Sequence, residues 1–449
     1  MQGTAPEEVG AALPDANESR RKAKSRARWR AQLSDISPDA REAPSFTRWN
    51  LTIIGICAAI YFLDGLIHTI LGPLAPQIAA DMGLNNPALG PIFSANLIGQ
   101  TLGLLTFPLV ANRCGHRPAI LACVCGFVVA QWATAIAWNA GSLFAFRLID
   151  GVFLGGCLPS CLALVATVAP QQRKGLGVTM LFTGYGAGAT VSGIVAAVFA
   201  DVGGWRAAIA AVGFASLITA IIAAIWLRGI DAQAGEHVGD LAPQPRAIDV
   251  LRGRVLGGTL MLWLMFISML TVQYCLSSWL PTLLVDVGRD RQFAALSVTI
   301  FSLGGIIAAL GVGLLIDRFG ATQVLGSFLA IAAVLLFATG QLLATASPTV
   351  LLLLLVTGGF FFLGAYGGVN VVLAQYYDEG LRAVGIGLTK SVGRVGTFMA
   401  PILIGLGLDA GISETTVMSL FALPAIVAMA CVVLVGLIWI QKAKPLPGT

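Results

Sequence analysis

Five ionisable side chains stand where so apolar a chain should carry none. Asp64, Arg147, Asp150, Lys390 and Arg394 fall deep inside apolar stretches, and the rest of the 27 lysines and arginines lie outside them. A carboxylate shielded from water is a proton acceptor. A guanidinium in the same surroundings can grip a carboxylate ligand through two parallel hydrogen bonds. Side by side, the two types suit the movement of a proton and an anion rather than the making of bonds. His68, one turn beyond Asp64, shares its helix face and can relay a proton. Each has a plainer reading: Asp64 as half of a structural ion pair, His68 as a hydrogen-bonded core histidine, and Arg147 with Asp150 as a pair three residues apart on one helix.

The elements that must hold these groups are membrane spans. Across 449 residues, 57% are hydrophobic, only 11% are charged and mean hydropathy is +0.85, a balance no water-soluble domain sustains. A spanning helix needs about 20 apolar residues. Twelve such stretches occur, the first near 50–72, the fourth near 143–165, the eleventh near 385–408 and the last near 417–440. None alternates as a barrel strand would, so the fold class is all-α integral membrane. Basic residues set the orientation. With both ends cytoplasmic, 21 lysines and arginines lie inside against three outside, Arg206, Arg289 and Arg291. The net charge of +5 then reflects topology and not nucleic-acid binding. Residues 1–47 read as a disordered basic cytoplasmic tail, 48–228 and 255–441 as two six-helix bundles, 229–254 as a cytoplasmic linker and 442–449 as a second tail.

The two bundles repeat one another. One offset of 205 pairs Pro76 with Pro281, Asp81 with Asp286 and Gly83 with Gly288, and aligns Asn112–Gly115 with Asp317–Gly320. Internally repeated six-helix halves are the mark of a transporter that rocks about a site near the membrane midplane. Asp64 lies about 14 residues past the start of its span, roughly 21 Å at 1.5 Å per residue. Arg394 is about ten residues into its own span, too deep to reach the headgroups. Lys390, a turn nearer the end of the span, either assists Arg394 or snorkels. Of the eight cysteines, seven lie in apolar stretches and read as small packing residues, with neither a disulfide framework nor a metal site implied. The glycine-rich run from Gly184 to Gly193 reads as close helix packing and not as a nucleotide loop.

Several motifs carry a family resemblance. NRCGHR at Asn112–Arg117 and IDRFG at Ile316–Gly320 resemble the signature loops of the major facilitator superfamily, and RLIDGVFLGG resembles its arginine-glycine motif in the fourth span. Asp64-Gly65, GPLAP at Gly72–Pro76, SSWLPTL at Ser277–Leu283 and SVGRVG at Ser391–Gly396 resemble the aromatic acid:proton symporter family, over residues 48–440. This chain departs from that family in having Ile67 three residues after Asp64, where a second aspartate is usual. It also has Asn112 in place of the first signature loop's aspartate and Thr167 where an acid commonly precedes Pro170. The resemblance implies the major facilitator fold, proton-coupled uptake of a hydroxybenzoate-like carboxylate, Arg394 as its anchor, and Arg147 with Asp150 in proton transfer.

Aromatic and amide side chains in the same spans complete the expected pocket. Tyr61, Phe62, Tyr185, Tyr274, Trp279, Tyr366 and Phe398 can stack on a ring, and Gln273, Asn96 and Asn370 can bind its hydroxyls or one another. Arg113, Arg117, Asp317 and Arg318 read as a latch whose charges pair across the halves when the inside is shut. The expected partners are a small organic anion, protons and a bilayer, with no nucleic acid, cofactor or metal, and the expected setting is a monomer in a bacterial inner membrane. A transporter or exporter of another organic anion on the same fold is the competing reading. A membrane enzyme would need a triad, metal cluster or nucleotide loop that the sequence does not contain.

Overall fold

The computed structural model describes residues 46–170, 173–199, 202–228, 250–252 and 255–443. Nearly all of both tails and of the linker expected at 229–254 lie outside the described residues. Those described form fourteen α-helices and no strand. In the first half these are α1 (Arg48–Thr69), α2 (Leu71–Met82), α3 (Asn86–Cys114), α4 (His116–Ala135), α5 (Ala140–Val168), α6 (Lys174–Phe199) and α7 (Gly204–Trp226). The second half contains α8 (Leu256–Asp286), α9 (Arg291–Phe319), α10 (Ala321–Leu342), α11 (Pro348–Tyr376), α12 (Glu379–Asp409), α13 (Glu414–Leu420) and α14 (Ala422–Ala443). Twelve spans result, because α2 prolongs the first and α13 opens the last.

Local sequence explains where the helices start and break. Asn85, Ser347 and Ser413 cap α3, α11 and α13 by accepting from the backbone N–H three residues on, and Asn139 with Ser142 closes a capping box at α5. The first span is longer than hydropathy suggested and is interrupted at Ile70. Pro73 cannot donate to the Thr69 carbonyl, and Pro76 cannot donate to Gly72, so the ladder is weakened over one turn. In the repeat, Pro281 matches Pro76 but Ser278 stands opposite Pro73, and α8 runs through unbroken. One extra proline thus separates the shape of the two halves.

Within the first half α1 packs on α6, α3 on α5, and α4 on α5 and α7; in the second, α9 packs on α11, α10 on α11 and α14, and α8 on α12 and α14. The halves meet along three seams, α3 with α12, α6 with α9 and α2 with α8. All three lie toward the end of the bundle opposite the chain termini. There Ser94 Oγ donates to the Phe398 carbonyl at 2.7 Å and Thr299 Oγ1 to the Thr190 carbonyl at 2.6 Å. At that same end Arg206 binds Asp81 and the Ala137 carbonyl, while Arg289 donates to the carbonyls of Leu343 and Ala346, so an arginine in each half covers orphan carbonyls past a helix end. Leu105, Leu314 and Val334 are exposed on the flanks, where acyl chains replace water.

Glycine sets the closeness of α1 and α6. A Cβ on Gly188 would fall on the Phe62 carbonyl and meet Leu66 N, both backbone atoms that cannot turn aside. Gly188→Val is therefore expected to destabilise the purified protein by about 1–3 kcal/mol, the range of core overpacking, seen as a lowered thermal unfolding midpoint in detergent.

Candidate binding cavity

The breach between the halves begins where the α3–α12 seam ends. It encloses a cavity of about 540 Å³ lined from both halves, by Tyr61, Asp64, Gln100, Leu154, Leu158 and Tyr185 among others on one side and by Phe266, Tyr274, Tyr366, Asn370, Lys390 and Arg394 on the other. Exposure grades along it. Asp64 and Gln100 are buried, Arg394 is partly buried, and Asn370 and Lys390 are exposed toward the end carrying the termini. The cavity is therefore open at the terminal end and shut at the other.

At its buried end three side chains form a chain of hydrogen bonds from one half to the other. Arg394 Nη1 on α12 donates to Gln100 Oε1 on α3 at 3.0 Å, and Gln100 Nε2 donates to Asp64 Oδ1 on α1 at 3.4 Å. The sequence reading brought Asp64 and Arg394 forward and missed Gln100. Its signal was present, a second carboxamide in mid-span one turn from Asn96, but nothing along the chain says that α3 crosses α12 there.

Aromatic rings form the wall next to this line. Tyr61 packs on Tyr185 and on Phe182, each at 5.4 Å between centroids, and four of the chain's six tyrosines (Tyr61, Tyr185, Tyr274 and Tyr366) face the cavity. Offset and edge-on contacts of this kind can admit a further flat ring.

Other expected residues lie one layer back. The His68 ring stands edge-on to Tyr274 at 4.8 Å and near Tyr185 at 6.2 Å, behind the wall and not on it. Arg147 and Asp150 form a fully buried ion pair at 3.1 Å. Gln131 and Asn96 donate to the same Asp150 oxygen at 2.9 and 3.3 Å, and Arg147 Nη2 donates to the Ile67 carbonyl at 2.9 Å, just before the break in the first span. This cluster touches α1 through its backbone and does not line the cavity.

Four residues expected in the pocket are placed outside it. Phe62 offers its backbone to Gly188, and Gln273 lies on α8 with its Oε1 buried and unpartnered. Trp279 is wholly buried against Phe93, donating to the Pro401 carbonyl at 3.2 Å, and Phe398 serves the closed seam through its carbonyl. Their span positions were right, but the faces they occupy follow from how the halves cross. The expected signature loops are taken up into helices: Arg113 stands in the last turn of α3, Arg117 in the first turn of α4, and Asp317 and Arg318 in the last turn of α9. Arg113, Asp317 and Arg318 are exposed at the terminal end, and Asp317 makes no ion pair among the described residues. Neither a metal-ligand cluster nor a disulfide is found among the described residues.

Comparison with known proteins places this architecture. The profile of the Major Facilitator Superfamily matches residues 57–401 and 262–449. The chain belongs to the Major Facilitator Superfamily. As a member it is a multi-pass membrane transporter and not an enzyme. It is 29% identical over 437 residues to a 4-hydroxybenzoate transporter, PcaK, of Pseudomonas putida, covering 90% of this chain and 96% of that protein. A 3-(3-hydroxy-phenyl)propionate transporter of Escherichia coli strain K12 is 31% identical over 387 residues, covering 86% and 93% respectively. The crystal structure of a D-xylose-proton symporter superposes with a TM-score of 0.69 at 16% identity, over 88% of this chain and 98% of that one, a likeness of fold alone. The superfamily's two-half architecture thus accounts for the repeat seen in the sequence.

Proposed function

We propose that this transporter imports a small aromatic carboxylate of the hydroxybenzoate kind together with a proton, by alternating access, as a monomer in a bacterial inner membrane with both termini cytoplasmic. The observation that carries the reading is the Asp64–Gln100–Arg394 line at the buried end of a tyrosine-walled cavity between the halves. Arg394 supplies a fork for a carboxylate, the tyrosines supply faces for a ring, and Asp64 supplies a proton site within reach of both. A monoanion arriving with one proton leaves the charge of the cavity unchanged, so neither partner is favoured without the other. The relatives named for 4-hydroxybenzoate and 3-(3-hydroxy-phenyl)propionate support an aromatic acid as cargo.

The remaining residues take supporting parts. Lys390, Tyr366 and Asn370 line the route toward the termini, where Lys390 attracts an anion at the mouth. His68 and the Arg147–Asp150 pair act on Asp64 from behind α1, through the backbone at Ile67 and the Tyr185–Tyr274 wall. Arg113, Arg117, Asp317 and Arg318 approach one another when the terminal end closes, and this biases the rocking of the halves. The excess of basic residues at the terminal end supports its cytoplasmic placement.

Proteoliposomes loaded at alkaline pH and diluted into acidic buffer provide the test. Labelled 4-hydroxybenzoate is expected to accumulate above its external concentration, to be released by a protonophore, and to be displaced by benzoates but not by aliphatic acids of equal charge. Uptake indifferent to the protonophore removes the coupling, and equal competition by aliphatic acids removes the aromatic cargo.

A further inference from the structure

We propose that Gln100 is the positioning residue through which the protonation of Asp64 decides whether Arg394 is free to take substrate. The inference rests on the proton-coupled reading above. A guanidinium only donates, so its bond to Gln100 turns the carboxamide with Oε1 toward α12 and Nε2 toward Asp64. That orientation suits an ionised Asp64, and both bonds are then charge-assisted. One terminal nitrogen of Arg394, Nη1, is accordingly taken up by a bridge across the halves. When Asp64 takes a proton, the bond from Nε2 loses its charge assistance, the Gln100 side chain lets go, and both terminal nitrogens of Arg394 face the cavity. A substrate carboxylate then replaces Asp64 as the anion that Arg394 serves.

Packing confines this motion to the side chain. A Cβ on Gly155 would strike the Gln100 carbonyl, and one on Gly151 would meet Gln100 N, so the backbone of α3 lies directly on α5 at this level. Nearer the closed end, Ser94 Oγ donates to the Phe398 carbonyl across the same two helices. The Gln100–Arg394 bond is thus a cross-half contact at the very edge of the cavity.

Other charges face Asp64 without making this link. Arg394 and Lys390 look in from α12, Asp150 with its partner Arg147 from α5, and His68 lies on α1 itself. The Tyr61, Tyr185 and Tyr274 phenols and the Cys157 and Cys161 thiols complete its surroundings. Among the described residues, Gln100 is the one side chain hydrogen-bonded to both Asp64 and Arg394.

The test is equilibrium binding of 4-hydroxybenzoate to the purified full chain by calorimetry at pH 6 and pH 8. Wild type is expected to bind about tenfold more tightly at pH 6, within the usual range of coupling between two sites. Gln100→Met, similar in length but without the bridge, is expected to bind equally at both pH values and at least as tightly as wild type at pH 8. Binding by the variant also shows that it is folded. Gln100→Glu provides an independent arm: its carboxylate pairs with Arg394, so affinity at pH 8 should fall about tenfold below wild type and recover on acidification. If Gln100→Met keeps the wild-type pH dependence, or Gln100→Glu leaves affinity at pH 8 unchanged, the role assigned to Gln100 is overturned while the symport reading stands. If wild type itself binds without pH dependence, the symport reading falls, and this inference with it.

Discussion

Arg394→Ala weakens 4-hydroxybenzoate binding by a factor of roughly thirty to several thousand. The range follows from the about 2–5 kcal/mol lost when one member of a buried, hydrogen-bonded charge pair is truncated. Alanine removes the fork that fits a carboxylate and leaves Gln100 Oε1 without its donor across the seam. Lysine at the same position restores the charge but not the planar pair of donors, so Arg394→Lys should fall between the two. Calorimetric titration measures the effect directly, and a thermal unfolding midpoint near that of wild type separates it from loss of fold. Normal affinity in Arg394→Ala would transfer the anion site elsewhere, Lys390 being the next basic group on the same cavity wall.

Asp64→Asn abolishes uphill accumulation while leaving exchange across the membrane intact. Asparagine nearly matches the carboxylate in shape, but it carries no charge and takes up no proton. With one proton per monoanion, a gradient of one pH unit supports about tenfold accumulation, since a pH unit corresponds to about 1.4 kcal/mol. In the variant the ratio of internal to external substrate should settle near unity at any imposed pH gradient. Counterflow of labelled against unlabelled 4-hydroxybenzoate should persist, because a neutral carboxamide in place of Asp64 resembles the protonated state that the proposed cycle requires for substrate passage. Undiminished accumulation would exclude Asp64 from coupling and direct attention to the Arg147–Asp150 pair.

That pair illustrates how burial divides duties between charges of similar appearance. Arg147 and Asp150 are as deeply placed as Asp64, yet Asp150 Oδ2 takes the Arg147 guanidinium together with Gln131 and Asn96, while Asp150 Oδ1 and Arg147 Nε stay buried without a partner. Arg147 reaches the Ile67 carbonyl at the point where Pro73 interrupts the first span. A network so arranged holds α1 in place at its weakest turn. Asp64, in contrast, is hydrogen-bonded to a neutral carboxamide and faces space. A charge with an internal partner supports the frame, and one that faces a cavity is available to a moving ligand.

Membrane insertion, twelve spans, the two-fold repeat and the conspicuous ions Asp64 and Arg394 were determined by the sequence alone. Lipid imposes one rule along every span, that polar groups need a reason to be there, and that rule can be read one residue at a time. The tertiary structure decided which faces meet. It drew Gln100 into the cavity, moved Trp279 and Phe398 to the closed seam, set His68 behind a tyrosine wall, and gave Arg147 a backbone carbonyl to hold. A helix in lipid has little amphipathic pattern to announce its inner face, since tails and protein core are alike apolar. Where glycines bring helix backbones together, as α1 with α6 and α3 with α5, that close packing fixes which faces of these helices reach the site.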